Sequence, residues 1–209
     1  MSSKPKPTSL ADHVEALRAD LKKADVHQLA TLTGASYEFT EGEHGIFKLP
    51  MWGKKVAVAT QDFVARDLRT QQPLDLLSQA LIAYYFHNTK FYVYKEGWIS
   101  FTEIPGAKFY NPAHKEQTAK KLLDFFGNDY QAFEEAAKKS GGKLTPFDTI
   151  AYKFQVFPKV ALLVTLWKGD VDFPPSYRIL FNREAIYHLN AEAFAILSGV
   201  LATRIINAK

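Results

Sequence analysis

The 209-residue sequence contains no cysteine. This absence excludes disulfide bonds, thiolate zinc sites and cysteine-ligated iron–sulfur clusters within the chain. It is compatible with a reducing compartment. Residues 1–9 contain lysines and prolines but lack the apolar core of a secretory signal. We therefore expect a cytoplasmic protein with a disordered tail over residues 1–8.

The sequence also lacks the motifs of several enzyme classes. It has no G-x-S-x-G nucleophile elbow, no G-x-x-x-x-G-K-[ST] phosphate loop and no G-x-G-x-x-G dinucleotide pattern. None of its six histidines has a recognised metal-ligand spacing relative to another. We therefore do not expect a nucleotide-dependent enzyme of those folds or a hydrolase with an elbow nucleophile.

A large excess of one charge is missing as well. The net charge is +4, from 26 basic and 22 acidic residues, and the lysine pairs are dispersed along the chain. Without a focused basic stripe, nucleic-acid binding is not expected. No apolar run is long enough to span a bilayer, so no membrane span is expected.

The most informative stretch that is present extends from residue 160 to residue 181. Val160–Trp167 is apolar except for Thr165, and its length between Pro158 and Gly169 is typical of a strand. Because strict alternation is absent, this strand should be covered on both faces. An acidic turn and two prolines follow, and then a second strand over Tyr177–Phe181. We predict that the rest of the fold packs around this hairpin-like unit.

Apolar residues at helical spacing predict helices along much of the remaining chain. Two of them make residues 9–34 a helical N-terminal subregion. A helix beginning near Pro73 is apolar on most of its circumference and should lie on the sheet. Three further helices are predicted over residues 112–126, 129–141 and 190–207.

Shorter apolar runs predict additional strands. These runs cover residues 37–40, 46–49, 55–60 and 150–157, with a weaker alternation at residues 55–59, and residues 91–94 also alternate. We predict a single α+β domain over residues 9–209, with a mainly antiparallel sheet and helices packed on one side.

Two aromatic bends are the best candidates for a binding site. The first surrounds the Ile104-Pro105-Gly106 turn, and the second contains the double proline. Together they would form the wall of a pocket for a flat ligand, with a few polar groups to orient it. The alternative is that the rings fill the core. The candidate ligand-binding residues are Trp98, Phe101, Glu103, Tyr110, Asn111, His114, Trp167, Asp170, Asp172, Phe173 and Ser176.

The polar candidates have alternative explanations of their own. Asp170 and Asp172, with Arg178 nearby, would suit a hard cation or a cationic ligand group. Alternatively, Asp170 closes the turn and Asp172 pairs with Arg178 or caps backbone groups. His114 is the first candidate for an axial ligand or general base and His188 is the second, although either also suits a surface or helix-end position.

Three sequence blocks resemble a family of uncharacterised prokaryotic domains, catalogued as domain of unknown function 3786. The blocks are Trp98–Gly106 continued by Phe109–Ala113, Phe126–Asp129 with Gly141-Gly142, and Leu166–Ser176. The resemblance covers residues 12–206, which favours one domain. The chain differs from the family pattern in two places. Ala83-Tyr84-Tyr85 occupies a position where the family favours a histidine, and Leu189–Glu192 replaces a more acidic helix opening.

The resemblance implies a setting for the protein but no established activity. Members of the family are typical of anaerobic bacteria and archaea, and some are associated with iron–sulfur domains or with corrinoid and one-carbon metabolism. A corrinoid or another tetrapyrrole is therefore the ligand class that the resemblance implies.

Three functions stay open at this point. The first is a non-catalytic small-molecule-binding or accessory domain in anaerobic one-carbon or redox metabolism, with its pocket between the two bends. The second is an acid–base enzyme using Glu103, Asp170 or Asp172 with His114. The third is a protein-interaction module for a redox or corrinoid partner, which would require an exposed apolar patch.

Overall fold

A computed structural model describes residues 9–40, 44–110 and 118–209. The predicted tail over residues 1–8 lies outside this range. The α-helices of the described residues are α1 (Leu10–Leu21), α2 (Val26–Thr33), α3 (Leu76–Asn88), α4 (Ala119–Phe126), α5 (Tyr130–Lys139) and α6 (Ala191–Ile206). The strands are β1 (Ser36–Phe39), β2 (Gly45–Met51), β3 (Lys54–Ala59), β4 (Ala65–Asp67), β5 (Trp98–Ser100), β6 (Lys143–Leu144), β7 (Ile150–Phe157), β8 (Val160–Trp167) and β9 (Ser176–Asn182).

The strands form two antiparallel sheets. The strands of one sheet precede α3 in the sequence, and those of the other follow it. The smaller sheet has the order β1-β2-β3-β4, and the larger has the order β5-β9-β8-β7-β6. The Trp52 amide donates a hydrogen bond to the Val156 carbonyl at 3.0 Å and so links the two sheets. The predicted α+β single-domain class is confirmed, with two antiparallel sheets in place of one.

The predicted central hairpin is present. Strand β8 lies between β7 and β9, and all of its residues are buried except Trp167. Val164 pairs with Ile179 and Leu162 pairs with Phe181. Because side chains alternate between the faces of a strand, these four apolar side chains share the core face of the sheet.

Helices cover the core face of the larger sheet. The Phe133 ring of α5 makes an edge contact with the Tyr177 ring of β9 at 5.0 Å. The Phe194 ring of α6 lies 4.9 Å from the Phe181 ring, and the Tyr85 ring of α3 stacks on the Phe157 ring at 4.4 Å. Such pairs add about 0.5–1.5 kcal/mol each beyond the area that they bury. The opposite face of the sheet keeps residues such as Arg178 exposed.

The N-terminal helices belong to this same core. Helix α1 begins with the predicted capping box, in which Ser9 and Asp12 hydrogen-bond reciprocally. Its Val14, Leu17 and Leu21 are buried and join the hydrophobic cluster that includes α3. Within the described part of the chain, no helix is long and apolar enough to cross a membrane.

Two local predictions differ from the structure. Residues 91–94 form no strand, and Phe91, Val93 and Tyr94 are exposed. The strand begins later, at Trp98, where β5 gains β9 as a hydrogen-bonding partner. Helix α3 begins at Leu76 rather than near Pro73, because the Asp75 side chain accepts from the Ser78 amide and caps the helix there.

Candidate functional site

An open groove of about 770 Å³ lies on the outer face of the larger sheet. Its volume is within the range of about 300–1,000 Å³ that is common for small-molecule sites. Three of the predicted site residues line it, namely Trp167, Phe173 and Ser176. Its other lining residues include Phe147, Thr165, Pro174, Arg178 and Leu180.

The pairing of β8 with β9 builds the floor of this groove. Trp167 pairs with Ser176, and Thr165 pairs with Arg178. These residues alternate with the core-facing ones, so they point away from the helices. The Thr149 hydroxyl donates to the Leu166 carbonyl at 2.5 Å and holds the rim segment that contains Phe147.

The acidic turn positions the aromatic wall. The Asp170 carboxylate accepts hydrogen bonds from the Asp172 and Phe173 amides at 2.9 and 3.0 Å, and the Asp170 amide donates to the Phe173 carbonyl at 3.0 Å. The turn brings the Phe173 ring within 6.4 Å of the Trp167 ring. Asp170 therefore shapes the groove from outside its lining, as the turn-closing alternative predicted.

Arg178 supplies a positive charge to the groove floor. It is exposed, and no acidic side chain of the described residues forms an ion pair with it, Asp172 included. The Thr165 and Ser176 hydroxyls lie on the same face. Asp148 also contributes to the lining. Aromatic rings beside a cation and hydroxyls suit a flat apolar ligand that carries an acidic group.

The described residues of the first aromatic bend do not line this groove. Trp98 pairs with Asn182 in the sheet, and Phe101 is buried with its ring 6.4 Å from the Phe181 ring of the core face. The Glu103 carboxylate accepts from the Ser100 amide and hydroxyl at 2.7 and 2.8 Å, which lowers the pKa of Glu103. That carboxylate is thus held by its own turn.

The remaining predicted residues fall elsewhere. Tyr110 is half-buried, and its pKa is raised by burial and by the charge of Glu192. Asn111 and His114 lie outside the described residues. No group of three or more histidine, aspartate or glutamate side chains suitable for a metal occurs in the ranges that the structure describes.

A titratable cluster that the sequence did not reveal lies near Tyr110. His13 Nδ1 of α1 is 3.0 Å from the Tyr84 hydroxyl of α3 and 3.7 Å from a Glu192 carboxylate oxygen of α6. Burial, together with a hydrogen bond from the Tyr84 hydroxyl to the Glu192 carboxylate, raises the pKa of Tyr84 far above its ordinary value. No sequence motif signals this cluster, because its three members come from three helices that are distant in the chain.

His188 is a structural histidine rather than an accessible base. It is fully buried, and its Nδ1 lies 2.8 Å from the Thr89 hydroxyl. Its Nε2 has no hydrogen-bond partner within the described part of the chain. Burial, with a smaller contribution from Lys159, lowers the pKa of His188 to about 4. The side chain is therefore neutral at pH 7.

Comparison with known proteins gives one match. Searches of curated proteins and of solved structures find nothing similar to the chain. The sequence profile of a domain of unknown function, DUF3786, matches residues 25–204. This range contains both aromatic bends, the central hairpin and most of α6. The chain belongs to the DUF3786 family.

Proposed function

We propose that this chain is a cytoplasmic, non-catalytic domain that binds a flat apolar ligand with an acidic side group in the groove over β8 and β9. The proposal is supported by the juxtaposition of Trp167 and Phe173 with Arg178, which has no ion-pair partner among the residues that the structure describes. The rings offer apolar contact area, and the guanidinium offers two donors in the geometry of a carboxylate.

A tetrapyrrole is the first ligand class to test. Family association suggests a corrinoid or a related macrocycle, and haem combines a flat ring with carboxylate side chains. A groove of about 770 Å³ is within the size range of small-molecule sites. The described lining contains no histidine, so the proposal concerns binding of the ring and its acidic groups only.

Absorbance titration of haem and of hydroxocobalamin tests this proposal. We expect a saturable spectral shift and a raised melting temperature with at least one of them. Arg178→Gln should weaken binding roughly 10-fold or more, because a hydrogen bond to a charged group contributes about 1.5–3 kcal/mol. Arg69→Gln, at an exposed arginine outside the groove, is the matched control. Absence of any shift with both ligands would refute the tetrapyrrole version.

Tryptophan fluorescence locates the ligand independently. The chain has three tryptophans, Trp52, Trp98 and Trp167. In a Trp52→Phe/Trp98→Phe background, a tetrapyrrole in this groove should quench the remaining Trp167 emission strongly. Phe109→Ala alters a ring that is 90% exposed in the other aromatic bend and should leave quenching unchanged. Phe173→Ala should reduce it. Equal effects of both substitutions would contradict the assignment of the groove.

Docking of a protein partner is the second candidate, and one observation favours it. Val171 is fully exposed at the tip of the acidic turn, next to Phe173, which is 65% exposed. Val171 does not line the groove. Val171→Ser should therefore weaken a protein contact and leave small-molecule binding unchanged. Acid–base catalysis has no comparable support, since Asp170 and Glu103 are engaged by their own turns and neither lines the groove.

A further inference from the structure

A second groove, of about 510 Å³, lies on another part of the molecule and shares no lining residue with the first. It is bordered by the β2–β3 turn, the start of α3, α4 and the C-terminal half of α6. Apolar side chains of Leu77, Ile196 and Val200 line much of it, and Arg204 and Lys121 supply positive charge.

Arg204 carries an uncompensated charge in this groove. Its guanidinium carbon lies 4.8 Å from the centre of the Trp52 ring. Its Nε is buried without a hydrogen-bond partner, and in the described ranges no acidic side chain forms an ion pair with it. Burial lowers the pKa of Arg204, but an arginine side chain keeps its charge in proteins. A half-buried cation that lies against an aromatic face and has no acidic partner among the described residues is suited to an incoming anion.

The acidic residue of the lining is already engaged. Asp75 caps α3, and its carboxylate accepts from the Ser78 amide at 3.0 Å and from the Ser78 hydroxyl at 2.7 Å. It forms no ion pair with Arg204. Lys121 donates to the Thr203 hydroxyl at 3.1 Å, which places a second cation beside the same groove.

The backbone at Trp52 is strained where its ring forms the groove wall. Trp52 has φ of 53° and Gly53 has φ of 77°, so both residues of this two-residue hairpin turn are left-handed. Such turns favour asparagine and glycine, and a bulky side chain in the left-handed region is rare. Strain of this kind is often retained at binding sites. Here it positions the indole against Arg204.

We propose that this groove binds a small organic carboxylate with an apolar body. The carboxylate pairs with the Arg204 guanidinium, with Lys121 nearby, and the apolar body lies against Trp52, Leu77 and Ile196. The proposal does not depend on ligand binding at the groove over β8 and β9.

Octanoate is the probe, with two matched compounds as controls. Acetate has the acid without the apolar body, and octylamine has the body without the acid. The protein carries Trp98→Phe and Trp167→Phe, so that Trp52 is the sole tryptophan. We expect octanoate to change the Trp52 emission saturably, with at least 10-fold higher affinity than acetate or octylamine. Equal responses to octanoate and octylamine would overturn the proposal without any substitution at the site.

Substitution of Arg204 gives the second arm of the test. Arg204→Gln should weaken octanoate binding at least 10-fold, and Arg204→Lys should lie between Gln and the parent because it keeps the charge without the planar fork. Arg69→Gln is the exposed-arginine control. Melting curves identify variants that fail to fold. If a variant does not fold, the comparison of octanoate, acetate and octylamine on the protein with intact Arg204 tests the proposal. Unchanged octanoate affinity in folded Arg204→Gln would refute the proposal.

Discussion

Gly169 lies directly against the backbone of Phe173 in the acidic turn. A Cβ atom built on Gly169 would lie 2.5 Å from the Phe173 carbonyl oxygen and 2.8 Å from the Pro175 nitrogen. That same carbonyl accepts the Asp170 amide hydrogen bond at 3.0 Å. The turn that presents the Phe173 ring to the groove thus closes only around a residue without a side chain.

Gly169→Ala should therefore disrupt the groove, and Gly53→Ala provides a matched control. The two glycines have nearly the same φ, 76° and 77°, but a Cβ on Gly53 would meet nothing within 4 Å. Gly53→Ala should cost only the left-handed backbone penalty of about 1–2 kcal/mol. Gly169→Ala should cost more and should also weaken ligand binding in the groove over β8 and β9. Urea unfolding and haem titration measure the two effects, and equal losses of stability would argue against this account of the turn.

Burial of His188 should make the stability of the protein depend on pH. The pKa of His188 falls from an ordinary value of 6.5 to about 4 in the folded protein. Between these values the unfolded chain binds a proton that the folded chain does not bind. The free energy of unfolding should therefore fall as the pH falls from 6.5 to 4, by about 3 kcal/mol in total.

Replacement of this histidine separates its contribution from that of other groups. In His188→Gln the decrease between pH 6.5 and 4 should be much shallower, whatever the stability at pH 7. His87→Gln, at an exposed position of α3, should keep the slope of the parent protein. Urea unfolding at half-unit pH intervals provides the comparison. A slope that is the same in His188→Gln and the parent would show that other groups cause it.

The Gln79 side chain should contribute strongly to stability, because it acts as a strand partner for Ala65. Its Oε1 accepts from the Ala65 amide at 2.9 Å, and its Nε2 donates to the Ala65 carbonyl at 2.8 Å. Arg18, which is also buried, donates to the same Oε1 at 2.5 Å. Gln79→Ala removes the partner of the Ala65 amide and of Arg18 Nη2, at about 1–3 kcal/mol for each group that water cannot reach, whereas the Ala65 carbonyl still accepts from the Leu74 amide at 3.0 Å.

Gln79→Glu separates the acceptor role of this side chain toward Arg18 from its donor role toward the Ala65 carbonyl. The carboxylate would pair with Arg18 but could not donate to the Ala65 carbonyl, so the loss of stability should be smaller than in Gln79→Ala. Gln61→Ala, at an exposed glutamine, is the control and should change stability by less than about 0.5 kcal/mol. Thermal melting of the parent protein, the two Gln79 variants and the control variant ranks their stabilities. A melting temperature of Gln79→Ala near that of the parent would contradict the network.

Local patterns were sufficient to predict the centre of the fold. The apolar run of β8, the turn glycine and the double proline determine a hairpin through interactions between neighbours in sequence. Its strands match the prediction to within one residue at each end. The division into two sheets was not predictable in this way, because it depends on which edges pair after α3 has packed. The three-residue β4 was missed for the same reason.

The candidate sites were less predictable because their members come from distant segments. The second aromatic bend forms a groove mostly within one hairpin, so Trp167, Phe173 and Ser176 were identified together. The first bend was expected to face it, but its Phe101 ring turns into the core instead. Trp52 and Arg204 meet only in the folded chain, and neither belongs to a motif that indicates the other.

The cluster of His13, Tyr84 and Glu192 should behave as a coupled unit. Tyr84 is almost fully buried, and its hydroxyl contacts His13 at 3.0 Å while Glu192 further raises its pKa. Tyr84→Phe should cost about 0.5–1.5 kcal/mol through the lost hydrogen bonds. Glu192→Gln should cost less by itself, and the double variant should show a coupling energy of at least about 0.5 kcal/mol.

Tyr94→Phe, at an exposed tyrosine, combined with Glu192→Gln should be additive. Denaturant unfolding of the complete cycle measures the coupling. Strict additivity for Tyr84 and Glu192 would mean that the three side chains are neighbours without a shared network.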